Sequence, residues 1–230
     1  MTSITLLTGR VAPLGGGQRT SAIDKRPVSG PRLLGPTGFA DDEQADLRVH
    51  GGPEKAVHHY PRDHYEAWRA DLGLLPLLDA PGAFGENIST LDLTEASVAV
   101  GDIFRMGSAL VQVSQGRQPC WKLTHRFAIP DMARRVQETG RTGWYYRVLE
   151  PGTVAPGDTI VLVDRAAPDW TLHRIWHAFY VDRLNAEELK NIAALEVLAE
   201  KWRLYARNRL ESGRVEDWTP RLNGSLEGRA

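Results

Sequence analysis

The chain has 230 residues, 42% of them hydrophobic, enough to bury a full core in one large domain or in one domain with a small appendage. Its 28 Lys and Arg nearly cancel 29 Asp and Glu, which argues against a surface given over to a polyanion such as DNA. One cysteine excludes an internal disulfide, the first residues lack a signal peptide's basic and apolar regions, and no apolar run could span a membrane; the expectation is a soluble cytoplasmic protein.

Ile4 to Val11 alternates and predicts a first strand, broken by Pro13 and the glycines at 15–17. Those glycines lack the Lys-Ser/Thr ending of a phosphate loop and read as a flexible turn. Pro27 to Pro36 reads as loop. His50, Gly51, Gly52 and Lys55 can form a basic pocket whose glycines admit a ligand close to the backbone, or an ordinary surface turn. Pro61 at a first helical position, an apolar face of Tyr65, Trp68 and Leu72, and a closing Gly73 predict a short helix. His50, His58, His59 and His64 match no standard zinc-ligand spacing.

Gly85-Glu-Asn87 falls at a loop or strand boundary, where Glu86 is either a solvated charge or a group that orients a ligand. Ser97–Val100, Ile103–Met106 and Ala109–Ser114 then predict closely spaced short strands, the pattern of a barrel or sandwich rather than of alternating β-α units.

The next stretch, Ser114-Gln-Gly-Arg-Gln-Pro-Cys-Trp-Lys-Leu123, sets the only cysteine, Cys120, between Arg117 and Lys122. Neighbouring cations favour the thiolate, the form that attacks electrophiles or binds soft metals, although a single buried cysteine is more often a small apolar side chain. Pro119 biases Gln118 towards an extended conformation and places the thiol where a strand gives way to a loop. From Ser114 to Arg147 seven Arg and Lys face two acids, a local excess that favours an anionic partner.

Pro130 opens a second helix with Ile129, Met132, Ala133 and Val136 on one face, ending near Gly140. Trp144–Leu149 and Thr159–Val163 return to strand. Beyond Pro168 the pattern is helical. Asn185 and Glu188 form a capping box, and Leu195, Leu198, Ala199, Trp202, Ala206 and Leu210 recur at helical spacing. Basic residues exceed acidic ones there by only eight to six between His173 and Arg214, thin support for a DNA-reading role. The Gly-, Ser- and Arg-rich tail is expected to be disordered.

Five ordered segments carry a family resemblance: Gln44-Ala-Asp-Leu-Arg-Val-His-Gly-Gly-Pro-Glu-Lys-Ala-Val57, Gly85-Glu-Asn87, Gly101-Asp102, Arg117-Gln-Pro-Cys-Trp-Lys122 and Gly140-Arg-Thr-Gly-Trp-Tyr-Tyr-Arg-Val-Leu149. Together they resemble the MOSC-domain proteins, in particular the bacterial N-hydroxylaminopurine-resistance branch. Two positions depart from that branch: Gly116 stands where proline is expected, and Asp92 where glycine is common. The resemblance implies a mixed α+β fold, a MOSC-type β-barrel with peripheral helices over residues 1–168, a small all-α three-helix domain over 169–215, and a disordered tail over 216–230.

It also implies molybdenum cofactor (molybdopterin), with Cys120 completing the metal's ligands and His50, Lys55, Arg117, Lys122 and Arg147 holding cofactor or substrate. The implied reaction is reduction of N-hydroxylated bases to amines, a detoxification, with Cys120, Glu86 and His50 as catalytic candidates and a separate reductase donating electrons. Three other readings stay open from the residues: a cofactor carrier without turnover, a metal-free cysteine nucleophile using His125 or His50 as base, and a regulator using its helices on DNA.

Overall fold

The computed structural model describes residues 2–15, 19–46 and 51–224. Among these residues nine strands build the main sheet: β1 (Thr2–Ser3), β2 (Thr5–Thr8), β3 (Arg26–Pro27), β4 (Val57–Pro61), β5 (Ile88–Thr90), β6 (Ile103–Met106), β7 (Ala109–Gly116), β8 (Trp144–Glu150) and β9 (Thr159–Asp164). Their order is β1-β9-β6-β7-β8-β4-β5-β2-β3, antiparallel except for the β4–β5 pair. The sheet curls into a half-barrel, since the ladder ends at β1 and β3 instead of closing. Register shifts in the β6–β9 and β7–β8 ladders mark bulges, which bend the long strands around the core. Arg32–Gly35 pairs with Gly38–Phe39 and Gly152–Val154 in a small second sheet, and Ala12–Pro13 pairs with Thr20–Ser21.

Among the described residues, seven helices surround and follow the sheet: α1 (His64–Leu72), α2 (Lys122–Phe127), α3 (Met132–Thr139), α4 (Leu172–Tyr180), α5 (Ala186–Ala194), α6 (Glu200–Ser212) and α7 (Thr219–Asn223). Gly73 ends α1 at φ 79° and Gly140 ends α3 at φ 72°, left-handed conformations that glycine adopts without a Cβ penalty.

Two apolar clusters form the interior. The larger fills the half-barrel with Leu6, Val57, Ile88, Val111, Val113 and Trp144 and runs without a break into Leu172, Ile175, Phe179 and Trp202 of the C-terminal helices. The smaller joins Tyr60, Trp68 and Phe84 to Leu123, Phe127, Val136 and Leu222. In it, Tyr60 and Phe84 stack at 3.9 Å, and Trp68 Nε1 donates to Tyr60 Oη at 2.7 Å, so a buried polar group is satisfied inside an aromatic cluster.

Several sequence expectations are corrected. Pro61 ends β4 rather than opening a helix; Arg62 N–H reaches Thr90 O at 2.8 Å, and α1 starts only at His64. Pro27 to Pro36 contains strand, because Arg32–Gly35 finds a partner in Gly152–Val154. Ser97–Val100 is no barrel strand: Val100 N–H and Leu172 N–H bond with Trp170 O and Val98 O at 2.9 Å each, tying this segment to the connector that leads into the helices. Leu195 and Leu198 lie in the turn before α6.

The tail from residue 216 is also not disordered over its first part. Glu216 pairs with Arg209, and α7 buries Leu222 in the smaller cluster. Residues 225–230 lie outside the described residues. No described helix is long and apolar enough to cross a membrane.

Candidate functional site

Cys120 sits after β7 in a short irregular segment and just before α2, and it is 9% exposed. Three different parts of the molecule hold this segment. Arg117 N–H donates to Gly143 O at 3.0 Å, in the turn before β8. Gln118 Nε2 reaches Tyr180 Oη at 3.2 Å, at the end of α4. Arg221 of α7 accepts from Trp121 N–H at its carbonyl, 2.9 Å, and donates through its guanidinium to Pro119 O and Gln137 Oε1. Position, rather than flexibility, is therefore what the surrounding chain gives the thiol.

Gly143 takes φ 70° and passes over β4 so closely that an added Cβ would stand 2.3 Å from His59 O. Buried Glu95 fixes that turn by accepting from Thr142 N–H and Gly143 N–H at 2.8 and 2.6 Å, with His64 Nε2 2.6 Å from its other oxygen.

Two chambers meet at the thiol. The inner one, about 80 Å³, is lined by Lys25, Lys55, His58, Arg117, Cys120, Lys122 and Tyr145 among others. The outer one, about 400 Å³, shares Lys55, Cys120, Lys122 and Tyr145 with it and extends to Trp121, Lys201, Tyr205, Trp218 and Arg221. These shared residues form a waist in one cleft.

The inner chamber gathers four basic side chains, Lys25, Lys55, Arg117 and Lys122, against the acids Asp42 and Glu43. Arg117 is only 6% exposed, its Nη2 reaches Phe84 O at 3.4 Å, and its Nη1 has no hydrogen-bond partner among the described residues. A buried guanidinium nitrogen without a partner is costly unless a ligand supplies the acceptor. Lys25 is buried and ion-pairs with Asp42, whose oxygens also accept from Gly9 N–H and Asn87 Nδ2 at 2.8 and 2.9 Å. Burial lowers the Lys25 ammonium's pKa, Asp42 opposing it. Burial likewise brings Lys55 down to about 8, with Lys201 adding to the fall and Cys120 and Asp46 opposing it. It remains a cation at neutral pH. His58 is pushed well below the ordinary histidine range by burial first and by Arg117 next, so it faces the chamber as neutral imidazole.

Among the sequence candidates, the structure brings Lys55, Arg117, Cys120 and Lys122 together. Glu86 and Arg147 are not with them. Glu86 is fully buried outside the chamber lining; its two oxygens accept from Tyr65 Oη and Gly82 N–H, both at 2.7 Å, and from Phe84 N–H at 3.0 Å. A carboxylate that accepts three hydrogen bonds from the surrounding chain holds its turn in place. Arg147 lines neither chamber: it forks onto Glu54, donates to Gln112 Oε1 at 2.7 Å and to Val197 O at 3.0 Å, and so ties the sheet to the turn before α6. His50 lies outside the described residues.

The histidines of the zinc pattern diverge: His58 faces the inner chamber, His59 lies between Tyr146 Oη and Thr90 Oγ1 at 2.9 and 2.8 Å, and His64 meets Glu95. Among the described residues no group of three or more His, Cys, Asp or Glu converges as a metal centre.

Reasoning from sequence missed Lys25, His58, Tyr145 and the outer wall of Tyr205, Trp218 and Arg221. Tyr145 and His58 stand in alternating β segments where the strand period could have marked them as facing one way. Nothing local marks Lys25 or Trp218, which reach the cleft by long-range folding.

The donor set fits molybdenum cofactor. A thiol suits a soft metal, and four cations around a chamber with an unsatisfied guanidinium nitrogen suit a phosphate-bearing ligand.

Comparison with known proteins agrees with this architecture. The MOSC domain matches residues 46–161, and the YiiM-like 3-alpha helix domain matches residues 170–213. Protein YiiM of Escherichia coli strain K12 is 40% identical over 225 residues, covering 96% of this chain and 98% of that one. A protein named Reductase from Gibberella moniliformis is 44% identical over 158 residues, 68% of this chain but 28% of that longer protein. Among solved structures, YiiM from Geobacillus stearothermophilus superposes with a TM-score of 0.78 at 36% identity, covering 91% of this chain and all of that one. The chain belongs to the MOSC-domain family, among the members whose half-barrel is followed by a YiiM-like three-helix domain.

Proposed function

We propose that the protein is a molybdenum-cofactor-dependent reductase that converts N-hydroxylated compounds, hydroxylaminopurine-type bases among them, to the corresponding amines. The observation that carries this reading is the single thiol at the waist of a cleft whose inner end gathers Lys25, Lys55, Arg117 and Lys122. The reductase named among the relatives is consistent with it, for the part of the chain the two share.

When bound, the cofactor supplies the two-electron chemistry: R–NHOH with two electrons and two protons gives R–NH₂ and water. The chain's own residues do the rest. Cys120 would be the one protein ligand, its sulfur suited to a soft metal. Arg117 and the lysines hold the anionic end and balance its charge in a poorly hydrated space. The three tethers on the Cys120 segment keep the thiol in register with that end, which is what lets a substrate in the outer chamber meet the reacting centre in a fixed orientation. Electrons come from a separate reductase, and the site of action is the cytoplasm.

Expression in a host that makes the cofactor, with molybdenum and pterin measured on the same samples as activity, tests this. Wild type should hold near-stoichiometric molybdenum and oxidise a reduced viologen dye when 6-hydroxylaminopurine is added. Cys120→Ser should fold, judged by an unchanged circular dichroism spectrum, yet lose turnover. Full turnover by Cys120→Ser removes the thiolate from the reading. Molybdenum without turnover in wild type points to a carrier, and activity without molybdenum points to a thiol nucleophile.

A further inference from the structure

We propose that Arg221 is the residue that positions Cys120, so that the stretch from Glu216 to Leu222, which lies outside both matched domains, is a working part of the thiol site rather than a tail. This deepens the reductase reading and rests on it only for what the thiol binds.

The backbone polar groups around the thiol lead to Arg221. Residues 117–121 belong to no strand or helix, and Pro119 has no N–H to give to one. Their peptide groups must find partners elsewhere in the fold. Arg117 N–H goes to Gly143 O, and the Cys120 carbonyl accepts from Leu123 N–H, both at 3.0 Å. The remaining two groups nearest the cysteine go to one residue: the Arg221 guanidinium donates to Pro119 O, and the Arg221 carbonyl accepts from Trp121 N–H at 2.9 Å.

Pro119 O and Trp121 N–H belong to the two planar peptide units that meet at the Cys120 α-carbon. With both planes held, the two soft dihedrals between them are fixed, and with them the direction in which the Cβ–Sγ arm leaves the chain. A single tether on one side would leave the other plane free to turn.

Arg221 is itself anchored from two directions. Its second terminal nitrogen donates to Gln137 Oε1 of α3, and Gln137 is buried and accepts through its carbonyl from Trp176 Nε1 of α4 at 2.6 Å. The planar fork thus joins α3 to the thiol segment, a two-acceptor geometry that an ammonium does not reproduce. Next along the chain, Leu222 is buried in the smaller cluster. Before it, Glu216 accepts from buried Arg209 at 2.9 and 2.8 Å and from Trp218 Nε1 at 3.1 Å, and Arg209 also donates to Phe179 O and Arg183 O. Arg221 acts through Cys120 and is a positioning residue.

The test uses the full chain. Cys120 is the only cysteine, so its alkylation by iodoacetamide in molybdenum-free protein reads this segment directly. Arg221→Met should raise the rate roughly tenfold, the factor expected when charge-assisted hydrogen bonds that hold a buried group closed are lost. Arg221→Lys, which keeps the charge and one donor, should restore part of the protection. Gln137→Leu leaves Arg221 in place without its second acceptor and should raise the rate by a smaller factor. Asn185→Ala, a loss of stability in α5, should alkylate as wild type does. In molybdenum-loaded protein, Arg221→Met should hold several-fold less metal, with Arg221→Lys between it and wild type.

Unchanged or slower alkylation of Arg221→Met, or of Gln137→Leu should the first variant not fold, overturns the proposal. So does a rise that Asn185→Ala matches, since that would report general loosening. Faster alkylation with molybdenum content unchanged keeps the positioning role and removes the thiol ligand from the reductase reading. Wild type without molybdenum removes that reading by itself, and the alkylation rates still decide the role of Arg221.

Discussion

Arg117 and Arg147 carry the same guanidinium and stand thirty positions apart on either side of one hairpin, yet their surroundings give them different work. Arg117 has a buried nitrogen with no partner and lines the inner chamber. Arg147 has every contact filled by Glu54, Gln112 and Val197. Arg117→Met should therefore lower molybdenum content, while Arg147→Ala should leave it unchanged and cost about 1–3 kcal/mol of stability, as expected for losing charge-assisted hydrogen bonds at a part-buried site. Metal analysis beside urea denaturation of both variants decides it, and equal molybdenum loss in the two would contradict the assignment.

His59 supplies a pH test at the same scale. Burial holds it down to about 3, against 6.5 for the free side chain, and His58 is displaced in the same direction. Between those values the unfolded chain binds a proton that the folded protein refuses. Stability is thus whole above pH 6.5 and falls as pH drops towards 3, by about 1.4 kcal/mol per unit for each such group once below 6.5. The interval from pH 6.5 to 5 isolates the histidines, because the paired carboxylates Glu188 and Glu216 titrate lower still. Urea midpoints across it should slope, and His59→Gln should flatten the slope even if that variant is less stable throughout. An unchanged slope would mean the buried imidazole is not the source. Asp92 is a further residue-scale case: it adopts φ 64°, a left-handed conformation in which a glycine, the residue the resemblance leads one to expect there, would carry no Cβ penalty.

Among the elements, α5 shows how local chemistry can be read directly. Asn185 Oδ1 accepts from Glu187 N–H and Glu188 N–H at 3.1 and 3.2 Å, which is the expected cap. The reciprocal half of the box is absent, because the Glu188 carboxylate turns to Arg174 of α4 instead. Asn185→Ala should cost about 1 kcal/mol, measured as a lower melting temperature, and should leave molybdenum content untouched. β6 and β7, β8 and β9, α3 and the Asn185 cap were all legible because alternation, glycine and cap residues act within a few positions.

The elements that were not legible have distant causes. Arg32–Gly35 becomes strand by pairing with Gly38–Phe39 and with Gly152–Val154, the latter more than a hundred positions away, and α2 begins at Lys122, its N-cap Trp121 making no side-chain hydrogen bond to announce it. The site divides in the same way. Cys120, Arg117 and Lys122 are close in sequence and could be read as a unit, and Lys55 came from its basic, glycine-rich segment. Lys25 and Trp218 join them only through the closure of the chain. Glu86 and Arg147 misled because a charged residue inside a recognisable motif looks the same whether its partner is a ligand or the protein's own backbone.

At the scale of the molecule, one core passes from the half-barrel into α4, α5 and α6. Regions that share a core unfold together. Tryptophan fluorescence and far-ultraviolet circular dichroism should report a single coincident urea transition, and two separated transitions would show that the helical part is an independent body. The segment from Arg117 to Trp121 has a different place in this plan. It leaves the larger core at Val113 and enters the smaller one at Leu123, so the thiol sits on the seam between them. A ligand lodged at such a seam grips both sides, and its binding energy is added to the resistance of the seam against parting. Loading is then written into the mechanics of the protein: amide hydrogens of Arg117 to Leu123 exchange as a gauge of occupancy, whatever reaction the occupied cleft performs.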